Sequence, residues 1–171
     1  IPCRRSIVSA DMSPSADRVI ISTDREYLFW DLCDRSPVRN EIYDRWLAIS
    51  QLETTDTDIP RFSLMTLNTR RTDKQIRRMC ISPNSELLVT GEDGGWVNLW
   101  DLKRNCFVDT LEGLPPDRDV TSLAWSSNGK YIAASAGKAV AIWLADTREL
   151  FKLLKIHHRD VVDVHFSLDS T

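Results

Sequence analysis

Three times along this chain a tryptophan closes a phrase of the same form: Leu28-Phe29-Trp30-Asp31-Leu32, Leu99-Trp100-Asp101-Leu102 and Ile142-Trp143-Leu144-Ala145. A short apolar run precedes each phrase, and a serine turn precedes the run, at Ser13-Pro14, Ser82-Pro83 and Ser126-Ser127. A fourth copy opens at Phe166-Ser167. Ser82 and Ser126 stand 44 residues apart, and Ser126 and Ser167 stand 41 apart. That interval matches the ~40–45 residues over which a four-stranded sheet unit recurs. Ser13 and Ser82 are 69 residues apart, so the first copy carries about 25 additional residues. Units of this size cannot cover both of their own faces, so successive copies must stack to build a core.

Within each copy the apolar residues alternate. Met79 and Ile81 match Leu123 and Trp125, then Val164 and Phe166, then Ala10 and Met12. Period-two alternation places one set of side chains on one face of a strand. Second strands are expected at Val19-Ile20-Ile21, Leu87-Leu88-Val89 and Tyr131-Ile132-Ala133. Third strands are expected to end at the tryptophans, over Tyr27–Trp30, Trp96–Trp100 and Ala139–Trp143. Fourth strands are read at Phe62–Leu67, Cys106–Leu111 and Leu150–Leu154. Asp93-Gly94-Gly95, Ser127-Asn128-Gly129 and Asp146-Thr147 supply tight-turn chemistry between them. The additional residues of the first copy, about 34–60, include Ile42, Trp46, Ile49 and Leu52 at helical spacing behind Pro37 and the N-cap candidate Asn40. A short amphipathic helix followed by a polar loop is expected there.

Composition narrows the function classes. An apolar fraction of 42% and a charged fraction of 27% are those of a globular protein. A net charge of −3 gives no general pull toward nucleic acid or an anionic membrane. No apolar stretch approaches the roughly 18 residues of a membrane span. The four cysteines, Cys3, Cys33, Cys80 and Cys106, are scattered and form no zinc-ligand spacing, which reads as reduced thiols in an intracellular protein, cytoplasmic or nuclear. The three histidines are His157, His158 and His165. Asp163, His165 and Ser167 alternate along one predicted strand, which would hold them roughly 7 Å apart and too far for a proton relay. No phosphate-binding loop is present. No cofactor, metal or small-molecule substrate is expected.

These copies resemble the WD40 repeat, one blade of a β-propeller. The second copy carries the resemblance best, in Ile81-Ser82-Pro83-Asn84, Val89-Thr90-Gly91-Glu92-Asp93-Gly94-Gly95 and Val97-Asn98-Leu99-Trp100-Asp101-Leu102. The third repeats it in Leu123-Ala124-Trp125-Ser126-Ser127-Asn128-Gly129-Lys130 and Ile142-Trp143. The resemblance implies an all-β fold, an arc of four-stranded antiparallel blades with a helix or loop insertion in the first. The expected blades are residues 1–75, 76–113 and 114–156, with 157–171 opening a truncated fourth. A closed ring needs at least about four blades, so the chain reads as part of a longer protein. Family blades often brace their turns with a hydrogen-bonded set of His, Ser or Thr, Asp and Trp. Here Trp30, Trp100 and Trp143 keep the Trp position and Thr90 keeps the hydroxyl. The turn aspartate survives only as Asp24, with Gly94 and Gly137 in its place later, and the loop histidine only as His157.

By the same resemblance, one rim gathers the loops between blades and the loops between second and third strands. The candidate contacts there are Arg71, Lys74, Glu92, Asp93, Trp96, Asp117, Arg118, Lys138, His158 and Arg159. Trp96 stands off the repeat pattern, which marks it as an exposed anchor candidate. The implied function is a non-catalytic scaffold that binds protein or peptide partners through propeller loops. The alternative is a nucleic-acid-binding propeller using the basic residues Arg70, Arg71, Lys74, Arg77 and Arg78.

Overall fold

A computed structural model of the chain describes residues 8–13, 18–22, 27–31, 74–104, 106–167 and 169. Its described elements are eleven strands and one turn of 3-10 helix. The first sheet contains β1 (Ser9–Met12), β2 (Arg18–Ser22) and β3 (Tyr27–Asp31). The second contains β4 (Ile76–Ile81), β5 (Leu87–Glu92), β6 (Val97–Asp101) and β7 (Cys106–Leu111). The third contains β8 (Val120–Trp125), β9 (Tyr131–Ala136), β10 (Ala139–Leu144) and β11 (Leu150–Leu154). Each sheet is an antiparallel meander whose strands pair in chain order. β1 lies against β4, and β4 against β8, so the first strands of successive sheets stand side by side.

The repeat extends to the register. Trp30 pairs with Val19, Trp100 with Leu88 and Trp143 with Ile132, so each tryptophan sits opposite the same position of its second strand. Bulges recur as well, between Ile76 and Arg78 in the second sheet and between Val120 and Ser122 in the third. Later strands break register just before each tryptophan, between Leu99 and Trp100 and between Ile142 and Trp143. The serine turns are built alike. Ser82 Oγ reaches Asn84 Oδ1 at 2.7 Å and accepts from the Leu87 amide at 2.9 Å. Ser126 Oγ does the same with Asn128 Oδ1 and the Tyr131 amide, both at 2.8 Å. A left-handed residue follows in each, Ser85 at φ 58° and Gly129 at φ 73°.

Packing explains why β5 and β9 are buried along nearly their whole length. A sheet covered on both faces has no wet side to alternate toward. Leu88 and Trp100 join Ile20, Ile76, Met79 and Ile81 in a core between the first and second sheets. Val89, Val97 and Leu99 point the other way, into a core with Val120, Ile132, Ala141 and Trp143 of the third. Each large apolar side chain so buried contributes about 1.5–3 kcal/mol. At Gly91 the second and third sheets come so close that a Cβ would lie 2.4 Å from Val120 Cγ1.

Several expectations shift by a residue or more. The third strand of the second sheet begins at Val97, not Trp96, because the 3-10 turn at Asp93–Gly95 takes up the chain first. The Glu92 amide closes that turn on the Trp96 carbonyl at 2.8 Å. Val164–Phe166, expected as a strand, carries no strand ladder. Side chains of β8 hold this segment instead, with the Val164 amide on Ser122 Oγ at 3.2 Å and Thr121 Oγ1 on the Val161 carbonyl at 2.8 Å. The insertion at about 34–60 with its expected helix, the candidate strand Phe62–Leu67, and Asp24 lie outside the described residues.

Candidate functional site

The rim that gathers the interblade loops is real in this structure, and two glycine turns hold it together. The turn between β5 and β6 passes through Gly94 at φ 72° and Gly95 at φ 71°, where glycine adopts the left-handed backbone without a Cβ penalty. The loop between β7 and β8 packs onto this turn. A Cβ on Gly95 would lie 2.4 Å from the Pro115 carbonyl oxygen, and one on Gly94 would lie 3.1 Å from that of Pro116. The Gly94 amide donates to Asp119 Oδ1 at 3.0 Å. Arg77 on β4 bridges the two segments, pairing through Nε with Asp93 at 2.5 Å and through Nη2 with Asp119 at 3.5 Å.

Trp96 leaves this platform 42% exposed. The Lys74 ammonium lies 4.4 Å from the centre of its ring, within cation–π range. Further along the rim, Gly137 between β9 and β10 lies under the Arg118 side chain, whose Cγ would be 3.0 Å from an added Cβ. The Gly137 carbonyl accepts from the Val161 amide at 2.7 Å. Arg118 faces Asp117 and Asp160, each at 3.9 Å. The structure therefore brings Lys74, Asp93, Trp96, Asp117 and Arg118 onto one surface. Lys138 follows Gly137 on it, and Arg159 precedes Asp160; both are exposed, as is His158. Arg71 lies outside the described residues.

Glu92 does not belong to this surface. It is 1% exposed, and its Oε1 accepts from Asn98 Nδ2 at 2.7 Å. Asn98 Oδ1 in turn accepts from Thr110 Oγ1 at 2.8 Å. The carboxyl group lies between strands because Glu92 ends β5 with its side chain over the sheet, and the Asn98 bond to Oε1 offsets part of the cost of burying it. The signal in the sequence was Asn98, a polar residue between Val97 and Leu99 that had to find a buried partner.

The basic residues do not form one patch among the described residues. Lys74 lies on Trp96 and Arg77 binds two aspartates, while Arg78 turns back to the Arg77 carbonyl at 2.8 Å. Trp100 is buried and donates its indole N–H to Thr90 Oγ1 at 3.1 Å. Trp143 is fully buried but donates to the Glu112 carbonyl of the preceding interblade loop at 2.7 Å.

Contacts between the first strands of neighbouring sheets were not legible in the sequence. Asp11 on β1 accepts from the Ile81 amide of β4 at 2.8 Å. Burial raises its carboxyl above the usual range against the hydrogen bonds from Ile81 and Met12. Cys80, one residue before Ile81, is pushed up to about 12 by burial and then by the Asp11 charge, so it is a neutral thiol rather than a nucleophile. On the far side, Asp163 Oδ1 accepts from Ser122 Oγ at 2.6 Å and Oδ2 meets His165 Nε2 at 2.8 Å. The 7 Å spacing expected for Asp163 and His165 is thus overturned, because the segment is not a regular strand and the two side-chain tips converge. The carboxylate is the central group here, whereas nucleophilic relay needs the imidazole between acid and hydroxyl. The hydrogen bond from Ser122, then that from His165, lowers the Asp163 pKa. Its contribution is therefore present above the ordinary carboxyl pKa and lost as pH falls through the lowered folded value. No group of three or more potential metal-ligating side chains occurs among the described residues, nor does any helix long and apolar enough to cross a membrane.

Stacked four-stranded meanders whose first strands stand together, each with a buried tryptophan on its third strand, define a β-propeller blade array. Comparison with known proteins agrees. The family model "WD domain, G-beta repeat" matches residues 63–101 and 106–143. The chain is 29% identical over 89 residues to human WD repeat-containing protein 18, covering 52% of this chain and 20% of the relative. It is 33% identical over 107 residues to mouse target of rapamycin complex subunit LST8, covering 56% of this chain and 32% of the relative. The crystal structure of the RRP9 WD40 repeats superposes with a TM-score of 0.72 at 14% identity, over 96% of this chain and 43% of that one. Residues 63–101 and 106–143 are WD40 repeats, and the fold is that of a WD40-type β-propeller. The chain spans about a fifth to a third of the length of these two relatives.

Proposed function

We propose that this chain is a non-catalytic interaction module that binds a protein partner through the rim joining its second and third blades. The observation that carries this reading is Trp96. A large aromatic side chain sits 42% exposed on a turn whose backbone is packed against the next loop at Gly94 and Gly95. An indole held rigidly in water loses little conformational freedom when a partner covers it, which is the character of an interface anchor. The repeat does not require it: the corresponding turn of the third blade is shorter and carries Lys138. The relative LST8 is named as a subunit of a complex, which agrees with a module whose work is assembly.

Affinity purification of the intact protein, compared with its Trp96→Ala and Lys138→Glu variants, tests the proposal. Both variants should lose at least one partner that the parent retains, with unchanged far-UV dichroism. Retention of every partner by both folded variants would falsify it.

A further inference from the structure

Read from the sequence, the rim is electrically mixed. Side-chain pairing leaves the net charge as it is and draws the carboxylates to arginines. Asp93 and Asp119 are both drawn to Arg77, and Asp119 also takes the Gly94 amide. Asp117 and Asp160 share Arg118. These four carboxylates share only two arginines, so the two clusters keep a formal charge of −2, which the three cations Lys74, Lys138 and Arg159 outweigh. Lys74, Lys138 and Arg159 have no ion-pair partner among the described residues. Glu112 and Lys155 directly follow β7 and β11 at equivalent places in the two interblade loops, so their opposite signs leave the balance unchanged.

Lys74 is the most informative of the three cations. Its ammonium sits at the Trp96 ring and 3.3 Å from where a Gly94 Cβ would be, so among the described residues the only side chain engaging it is an aromatic face. A cation so placed still has hydrogen-bond donors to offer an incoming anion. It offers them beside an apolar surface, where displacement of water strengthens the charge pair.

We infer that the rim receives an acidic peptide segment, with an apolar residue of the segment on Trp96 and a neighbouring anionic group on Lys74. Lys138 and Arg159 continue the same sign toward the third blade and favour further acidic residues there. This inference rests on the interaction-module reading and specifies the chemistry of its partner. The anionic group is a carboxylate or a serine phosphate, since both accept from an ammonium in the same way.

A random dodecapeptide display library, panned against the intact protein, provides the probe, and fluorescence polarisation of the selected peptides provides the affinities. The expected peptides carry Asp or Glu within a residue or two of a large apolar side chain. Trp96→Ala should weaken them by about 30-fold or more, the scale of an interface anchor. Lys74→Glu should weaken them about tenfold and turn the preference toward versions with Lys in place of the acid. Replacing the acid by phosphoserine separates the two sources, with tighter binding assigning the anion to a phosphate and weaker binding to a carboxylate. Neutral or basic selected peptides, or indifference to Lys74→Glu while Trp96→Ala abolishes binding, overturn the acidic partner and leave the module reading intact. A library yielding no peptide sensitive to Trp96→Ala, Lys74→Glu or Lys138→Glu, in variants of unchanged far-UV dichroism, overturns both.

Discussion

In the second blade Glu92, Asn98 and Thr110 lie across three neighbouring strands, and in the third blade Ala136, Ala141 and Leu153 occupy the same register positions. The first set is a chain of hydrogen bonds with a carboxylate at its head. The second is apolar throughout, with Ala136 and Ala141 fully buried. Yet the two blades share their bulges, their serine turns and the pairing of their tryptophans. The blade frame is therefore set by the turn serine, the alternating apolar positions and the tryptophan. The interior between them is free to be polar or apolar, since hydrogen bonds run from Thr110 through Asn98 to Glu92 in one blade while alanines and Leu153 fill the same places in the other.

The tryptophans carry the same lesson to a second position. Thr90 receives the Trp100 indole, while Ala134 stands at the equivalent place in the third blade and the Trp143 indole reaches the Glu112 carbonyl instead. One blade closes the bond within itself and the other closes it on its neighbour. Loss of the family's hydroxyl was thus compensated by a backbone acceptor one loop away.

Five variants test this comparison of the two blades. The largest effect is expected from Asn98→Ala, which leaves the buried Glu92 carboxylate without its amide donor and should cost about 1–3 kcal/mol in urea-unfolding free energy. The triple change Glu92→Ala, Asn98→Ala, Thr110→Leu transplants the third blade's interior and should be less destabilising than Asn98→Ala alone. A triple variant worse than the single one would show that the polar chain does more than satisfy itself. Next in size, Thr90→Ala should cost about 0.5–1.5 kcal/mol, since the Trp100 indole loses its acceptor. Ala134→Thr should bring no matching gain in thermal midpoint, because Trp143 is already paired; a gain would mean that the Glu112 bond is weak. The smallest effect belongs to Ser85, which holds φ 58° where Gly129 stands in the third blade. Ser85→Gly should raise stability by roughly 0.5–1 kcal/mol through relief of left-handed strain, less the entropy glycine adds to the unfolded chain. A lowered thermal midpoint would indicate that the Ser85 side chain is needed by the turn.

Much of the blade frame was open to reading because its signals are local. Alternation placed Cys106–Leu111 and Leu150–Leu154 at the strand bounds observed, and the tryptophans marked the third strands to within a residue. Trp96 was conspicuous because a repeat supplies its own reference, and a residue that departs from it stands out. Glu92 was misread as a surface group because its charge suggested water, whereas Asn98 on the facing strand made burial tolerable. Asp163 and His165 were misread through backbone spacing alone, although side-chain tips can meet across a distance their Cα atoms keep.

From its residues alone, this protein declares recurring indole-capped sheets, the turns that separate them and the apolar order that forces them to stack. Those are consequences of near-neighbour chemistry repeated along a chain. Which charges pair was decided only when Arg77 met Asp93 and Asp119, and when Arg118 met Asp117 and Asp160. Ion pairing depends on separations of a few ångströms between segments distant in sequence, and only packing sets those separations.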